Sequence, residues 1–384
     1  MFADANLEKE EVMLSVFSCP SRYTQGKNAT VQLGQEMRTV GLDGPALILA
    51  GRSAIQLLSE VWRKTLGDAG ISFDVHGFGG ECSLAEIERI KVCARRLPAR
   101  VIIAAGGGKA LDAGRAAAAD LGLPVVNCPT IASSDAPCSA LSVIYTEEGA
   151  FQQYRIYGRN PDLVLVDTEV IAHSPVRLLV AGMGDALATV FEARTCVEGH
   201  VKNMRGGAST RSALALAELC YRTLLEDGAE GRRCVERQVV TPALERLVEA
   251  NTLLSGLGFE SSGLAAAHAV HNGLTVAPPT HSFFHGEKVA FGTLVQLVLE
   301  GKPRTQIEEV VGFSTEVGLP VTLAAVGLGE LSRELLEQIA ARATAPGETM
   351  HNEPFEVSPE LVADAILAAD AVGRASQAAT GKSS

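Results

Sequence analysis

RVIIAAGGGKALDAGRAAAADLGLPVVNCPT, Arg100 to Thr130, decides the fold. A short apolar run (VIIAA) ends in three glycines and passes into an alanine-rich segment at helical spacing. PVVNCPT then supplies a second apolar run. An apolar run without polar alternation fits a strand buried on both faces, as a parallel sheet requires. The same alternation lies upstream. ALILAGRSA (Ala46 to Ala54) reads as strand and glycine turn, AIQLLSEVWRKTL as helix, ISFDVHGFGGE as strand, and LAEIERIKVCARRL as an amphipathic helix. Before them, PSRYTQGKNATVQLGQEM predicts an extended segment entering a helix. Strands alternating with helices predict an α/β domain built on a parallel, doubly wound, Rossmann-like sheet.

Downstream the character changes. SALSVIYT and DLVLVDT predict strands around a hairpin extension (TEEGAFQQYRIYGRNP), and nearly everything from Leu178 onward reads as helix. The expected boundary falls near Ile171, with residues 1–171 as the dinucleotide-binding α/β domain and 172–384 as an all-helical, metal-binding domain. A chain of 384 residues has room for two such cores. The tail SQAATGKSS is small and polar and predicts a frayed end.

Composition narrows the function classes. Hydrophobic content of 47% with 20% charged residues is that of an ordinary globular protein. A net charge of -12 argues against a nucleic-acid backbone or an anionic membrane surface as partner. No apolar run approaches the length of a membrane span, and MFADANLEKEEVMLSVFSCP is too acidic for a secretory signal. The eight cysteines contain no CxxC pair, which predicts free thiols and a cytoplasmic location.

Two stretches carry candidate chemistry. Gly106, Gly107, Gly108 and Lys109 follow a strand and open a helix, where glycines let backbone N–H groups approach a pyrophosphate. The turn is neither GxGxxG nor a P-loop, and a tight strand-to-helix turn accounts for it equally well. The next loop offers hydroxyls at Thr130, Ser133, Ser134 and Ser139, together with Asp135. The second stretch, GLAAAHAVHNGLTVAPPTHSFFHGEKVAFG (Gly263 to Gly292), holds four of the eight histidines. His268 and His271 are three apart in a helical run; His281 and His285 follow the break at Pro278 and Pro279. Imidazoles on successive helices can converge on one ion if an acidic oxygen joins them. Asp185, in GMGDALATVFEART, is a candidate for that oxygen, although it reads as a helix start where an N-cap aspartate is the ordinary use.

Read together, GGGKALD, PTIASSDAPCSALSVIYT, NPDLVLVDT, GDALATVFEA, VTPALERLVEANTLLSGLGFES, AAAHAVHNGLT and HGEKVAFGTLVQL resemble the glycerol dehydrogenases of the iron-containing, or group III, alcohol dehydrogenase superfamily. The resemblance runs in order from about Ser21 to the region of Ala371. It implies a dehydroquinate synthase-like architecture, with a divalent metal between the two domains. The implied ligands are Asp185, His268 and His285, with His281 as fallback; His271 is implied to stand behind the ligands or to handle protons as a catalytic residue. Implied cofactor contacts fall on Gly106, Gly107, Gly108, Lys109, Ala110, Thr130, Ser133, Ser139, Leu141 and Tyr145, and Asp135 matches a substrate-contacting, catalytic aspartate. The implied metal is zinc rather than iron, and a homo-oligomer is the default assembly.

One departure stands out. NAD-dependent members of the family end the first strand with an aspartate that binds the adenosine ribose; here Gly51-Arg52-Ser53 stands instead. Without that carboxylate to repel a 2′-phosphate, NADP is expected beside NAD. The implied reaction oxidises glycerol, or a similar vicinal diol, to dihydroxyacetone with hydride transfer to NAD(P). Alternatives are an NADPH-linked reductase of a small hydroxyketone or aldehyde, a metal- and NAD-dependent lyase of dehydroquinate synthase type, and a nucleotide-binding scaffold without catalysis.

Overall fold

The computed structural model describes residues 13–380. The first twelve residues of the lead and the last four of the tail therefore lie outside the described residues. The chain runs β1 (Tyr23–Gly26), α1 (Leu33–Thr39), β2 (Ala46–Ala50), α2 (Arg52–Asp68), β3 (Phe73–Gly77), α3 (Leu84–Arg96), β4 (Val101–Gly106), α4 (Gly108–Leu121), β5 (Val125–Pro129), β6 (Leu141–Tyr145), β7 (Phe151–Ile156) and β8 (Leu163–Asp167). The remaining named elements are helical. They are α5 (Thr168–Ala172), α6 (Val176–Glu198), α7 (Arg211–Glu236), α8 (Pro242–Glu249), α9 (Ser255–Ser262), α10 (Ala266–Leu274), α11 (His285–Leu299), α12 (Arg304–Val317), α13 (Arg333–Ala343) and α14 (Pro359–Thr380). The tail reading is corrected in part, since Ser376 to Thr380 continue α14.

Six strands form one parallel sheet in the order β1-β8-β5-β4-β2-β3. β2, β4, β5 and β8 are buried at every residue, as their uninterrupted apolar runs demand, while the edge strands β1 and β3 are only partly buried. Side chains alternate between the faces. Ala46, Ile48 and Ala50 join Leu33, Met37, Leu58 and Trp62 of α1 and α2, whereas Leu47 and Leu49 join Ile87, Ile90 and Ala113 of α3 and α4. β6 and β7 form the expected antiparallel hairpin apart from the sheet.

The chain leaves β2 toward one edge of the sheet and β4 toward the other. The sheet's switch point therefore lies between these two strands, at their C-terminal ends. Ala50 pairs with Ala105 across it, so Gly51 and Gly106 emerge side by side. Beyond Asp167 the helices bury two apolar clusters. One is centred on α6 to α9, the other on α10, α11, α13 and α14.

Candidate metal centre and cofactor cleft

Asp185 is not a helix cap. α6 begins at Val176, which puts Asp185 midway along a buried helix with no exposed surface. Such a carboxylate needs strong partners, because an isolated buried charge is prohibitively costly. Its partners come from two later elements. His268 Nε2 lies 3.4 Å from Asp185 Oδ1, and His285 Nε2 lies 3.0 Å from the same oxygen. One donor atom from each of the three residues falls within 4.8 Å of the other two. The second oxygen, Oδ2, accepts the Asp135 backbone N–H at 3.1 Å. Oδ1 itself is buried without a conventional hydrogen bond while two imidazole nitrogens aim at it, and the three side chains together could hold a metal ion.

Helix packing explains the convergence. α6 and α11 cross with their backbones nearly touching. A methyl on Gly286 would sit 2.7 Å from the Ala181 carbonyl carbon and 2.9 Å from the Asp185 nitrogen, and one on Gly184 would collide with the Gly286 carbonyl. Glycine at both positions lets His285, the first residue of α11, lie over Asp185. His268 stands one turn into α10, whose N-terminus is pinned by side chains from elsewhere. Glu192 Oε1 accepts the N–H groups of Ala265 (2.8 Å) and His268 (3.0 Å), Glu353 accepts that of Ala266 (3.2 Å), and Gln296 that of Ala267 (3.0 Å). These satisfy four orphan donors of a helix start. Glu192 Oε2 then takes His268 Nδ1 at 2.7 Å. Sequence reading missed Glu192, although it follows Asp185 by seven residues, two turns along the same helix face.

Charge follows geometry. Burial alone would raise the Asp185 carboxyl, but His285 and His268 hold it far below the ordinary carboxylate range. Burial disfavours the His268 imidazolium, yet Glu192 and Asp185 together push its pKa well up. His271 moves the other way: burial, then His285 and Lys288, keep it neutral. It touches no carboxylate directly; its Nε2 meets His285 Nδ1 at 3.0 Å and its Nδ1 meets Asn272 Oδ1 at 3.1 Å. His281 faces away, bonded to the Thr275 carbonyl at 3.0 Å, and lies outside the convergent trio.

The glycine turn lies where the sheet opens. Gly106 ends β4, Gly107 precedes α4 without any side-chain cap, and Gly108, Lys109 and Ala110 form the first turn of α4. Free N–H groups at such a start attract anions. Lys109 pairs with Glu81 and stacks 5.1 Å from the Tyr145 ring centre. Thr130 donates its N–H to the Gly106 carbonyl at 3.1 Å, and a side chain on Gly108 would meet Ser134 Oγ at 3.3 Å. The serine loop is thus folded against the turn. Buried Arg115 holds the loop's far side through the carbonyls of Ala136 (2.5 Å) and Leu141, and Asp112 pairs with it at 2.8 Å. Ser139 bonds the Ala136 carbonyl at 3.4 Å. Ser133 is partly exposed on the same loop.

That loop also reaches the trio. Asp135 contacts Asp185 through its N–H, and its carboxylate accepts Ser255 Oγ at 2.9 Å, with Thr189 Oγ1 2.8 Å beyond. Burial and the neighbouring Asp185 charge raise its pKa well above the usual value. Asn251 completes the join by donating to the Ala132 carbonyl at 3.1 Å. It lies in a π-helical segment, Ala250–Leu254, and such bulges are frequent at functional sites. No periodicity in the sequence announces that bulge. On the outer side, Gly51 precedes α2, and a side chain there would meet nothing within 4 Å; Arg52 beside it is exposed.

All eight cysteines are free thiols, and no helix among the described residues is long and apolar enough to cross a membrane. Comparison with known proteins points to one family. The profile described as iron-containing alcohol dehydrogenase matches residues 20–168. A glycerol dehydrogenase of Escherichia coli O6:H1 is 49% identical, covering 94% of this chain and 97% of its own. A glycolaldehyde reductase of Halobacterium salinarum is 48% identical over 94% of this chain and 99% of its own. The crystal structure of the Schizosaccharomyces pombe glycerol dehydrogenase superposes with a TM-score of 0.92 at 38% identity, covering 96% of this chain and 93% of that one. With likeness of this degree running through both the sheet and the helices, the chain belongs to the iron-containing alcohol dehydrogenase family and is an oxidoreductase.

Proposed function

We propose that the chain is a metal-dependent polyol dehydrogenase that oxidises glycerol, or a similar vicinal diol, to the hydroxyketone. The observation that carries this reading is Asp185 Oδ1, buried and faced by the Nε2 atoms of His268 and His285. One carboxylate and two imidazoles fit a divalent ion with positions left open, zinc in preference to iron. When bound, the ion supplies Lewis acidity to a hydroxyl, and a nicotinamide dinucleotide accepts hydride.

The chain's own residues do the rest. Gly106, Gly107, Gly108 and the start of α4 offer N–H groups for a pyrophosphate. Thr130, Ser133, Ser139, Leu141 and Tyr145, on the serine loop and the strand that follows it, are assigned to the same dinucleotide. Asp135, fixed by Ser255, offers its carboxyl to a second substrate hydroxyl, which favours diols over simple alcohols. The loop that carries it touches both the glycine turn and Asp185, so substrate and dinucleotide are held side by side, and such positioning lowers a barrier by several kcal/mol. Gly51 leaves room for a 2′-phosphate, so NADP is accepted beside NAD. A lyase of dehydroquinate synthase type needs several free basic groups in the cleft, whereas Lys109 is paired with Glu81 and Lys288 is buried.

The test is a kinetic screen of glycerol, 1,2-propanediol, dihydroxyacetone and glycolaldehyde with both dinucleotides, on protein stripped by chelator and restored with zinc or iron. His268→Ala should lose metal content and turnover together. Full activity in a metal-free His268→Ala protein would refute the assignment.

A further inference from the structure

Each neutral imidazole of the trio must leave Nε2 unprotonated if it is to bind a cation. Glu192 enforces this on His268 directly, by accepting its Nδ1–H. His285 has no acid beside Nδ1. Its Nδ1 meets His271 Nε2 at 3.0 Å, His271 Nδ1 meets Asn272 Oδ1 at 3.1 Å, and Asn272 Nδ2 meets Glu348 Oε2 at 2.9 Å. Each middle member of this chain can face either way. Its direction is set where an acceptor-only group ends it. Glu348 is that end. Its Oε1 is bonded to Arg342, a donor only, and its Oε2 receives the Asn272 amide. Asn272 must therefore present Oδ1 to His271, which donates from Nδ1 and accepts at Nε2. His285 then donates from Nδ1, and its Nε2 lone pair points toward Asp185. The Tyr154 hydroxyl, 3.4 Å from Asn272 Nδ2, can give or take and imposes no direction.

We propose that Glu348 and Asn272 are positioning residues that act through His271 to fix the tautomer of His285, so that His271 orients a ligand rather than collecting the substrate's proton. This deepens the metal reading above and rests on it, because without a cation Asp185 Oδ1 can itself take a proton from His285 Nε2.

Glu348→Gln tests the direction without changing shape. Its amide oxygen stays on Arg342, so its NH2 faces Asn272, which must rotate. Every link then reverses, and the proton of His285 moves to Nε2. Zinc affinity, measured by chelator competition on the metal-free protein, should fall about 10- to 100-fold. Histidine-selective 15N spectra, with zinc buffered by chelator between the two affinities, should show His285 protonated at Nδ1 in the parent and at Nε2 in the variant. Adding Arg342→Met frees the glutamine to turn its oxygen to Asn272 and should restore both readouts, which a merely structural role would not do. Should Glu348→Gln fail to fold, Asn272→Leu removes the acceptor of His271, and His285 should then lose its single tautomer. An unchanged His285 spectrum in the variant that folds overturns the proposal. Parent protein that takes up no zinc would count against the metal reading instead, whereas zinc uptake with equal affinity in the parent and in Glu348→Gln would overturn this proposal alone.

Discussion

Gly286→Ala links the fold to the chemistry most directly. The added methyl would fall 2.7 Å from the Ala181 carbonyl carbon and 2.9 Å from the Asp185 nitrogen, with the Ala181 oxygen nearer still. These are backbone atoms of a buried helix and cannot swing aside, so α6 and α11 must part by about 1 Å to relieve the contact. Overpacking of this kind costs about 1–3 kcal/mol. The local effect is larger. His285 precedes Gly286, and its Nε2, now 3.0 Å from Asp185 Oδ1, would retreat by a comparable distance. A displacement of about 1 Å can cost on the order of 100-fold in a site that depends on alignment. Chelator competition should therefore show zinc affinity reduced by at least about 10-fold, with the thermal midpoint lowered by a few degrees. Gly312→Ala in α12 is the control: its methyl meets nothing within 4 Å, and it should stabilise by roughly 0.4–1 kcal/mol while leaving affinity alone. Parent-like affinity and midpoint in Gly286→Ala would show that the close crossing of these helices does not align His285.

Glu192→Gln keeps its oxygen on the α10 N–H groups and turns an NH2 toward His268 Nδ1; zinc affinity should drop about 10- to 100-fold with little change in helicity by circular dichroism. Burial and the adjacent Glu300 push the Glu353 carboxyl up to about 9 from its ordinary 4.5, so the folded chain holds a proton that the unfolded chain loses between those values. Stability from this group is therefore highest below about pH 4.5 and falls toward pH 9, by at most about 1.4 kcal/mol per pH unit. Glu353→Gln should raise the thermal midpoint at pH 8.5 and leave it nearly unchanged at pH 5, and equal shifts at both would contradict the assignment. Gly51→Asp fits sterically and should lower the NADP-to-NAD ratio of kcat/KM by on the order of 10-fold; an unchanged ratio would remove Gly51 from the cofactor argument.

Local periodicity settled what depends on near neighbours in the chain. Uninterrupted apolar runs at Ala46–Ala50 and Val101–Gly106 read as buried parallel strands, and both are central in the sheet. The glycine turn, the hairpin and the two histidines of α10 were legible for the same reason. Asp185 was legible as a residue but not as a position, because its helix begins at Val176, directly after Pro175 and nine residues before the aspartate. Direction and partnership required the tertiary structure. That α6 and α11 touch at Gly184 and Gly286, that Glu192 serves a helix more than seventy residues away, and that Glu348 reaches His285 through two intermediates are consequences of packing between distant segments. A linear pattern records which face of a helix is apolar, but not which carboxylate a buried imidazole meets there, since that choice is made by the helices that share the core.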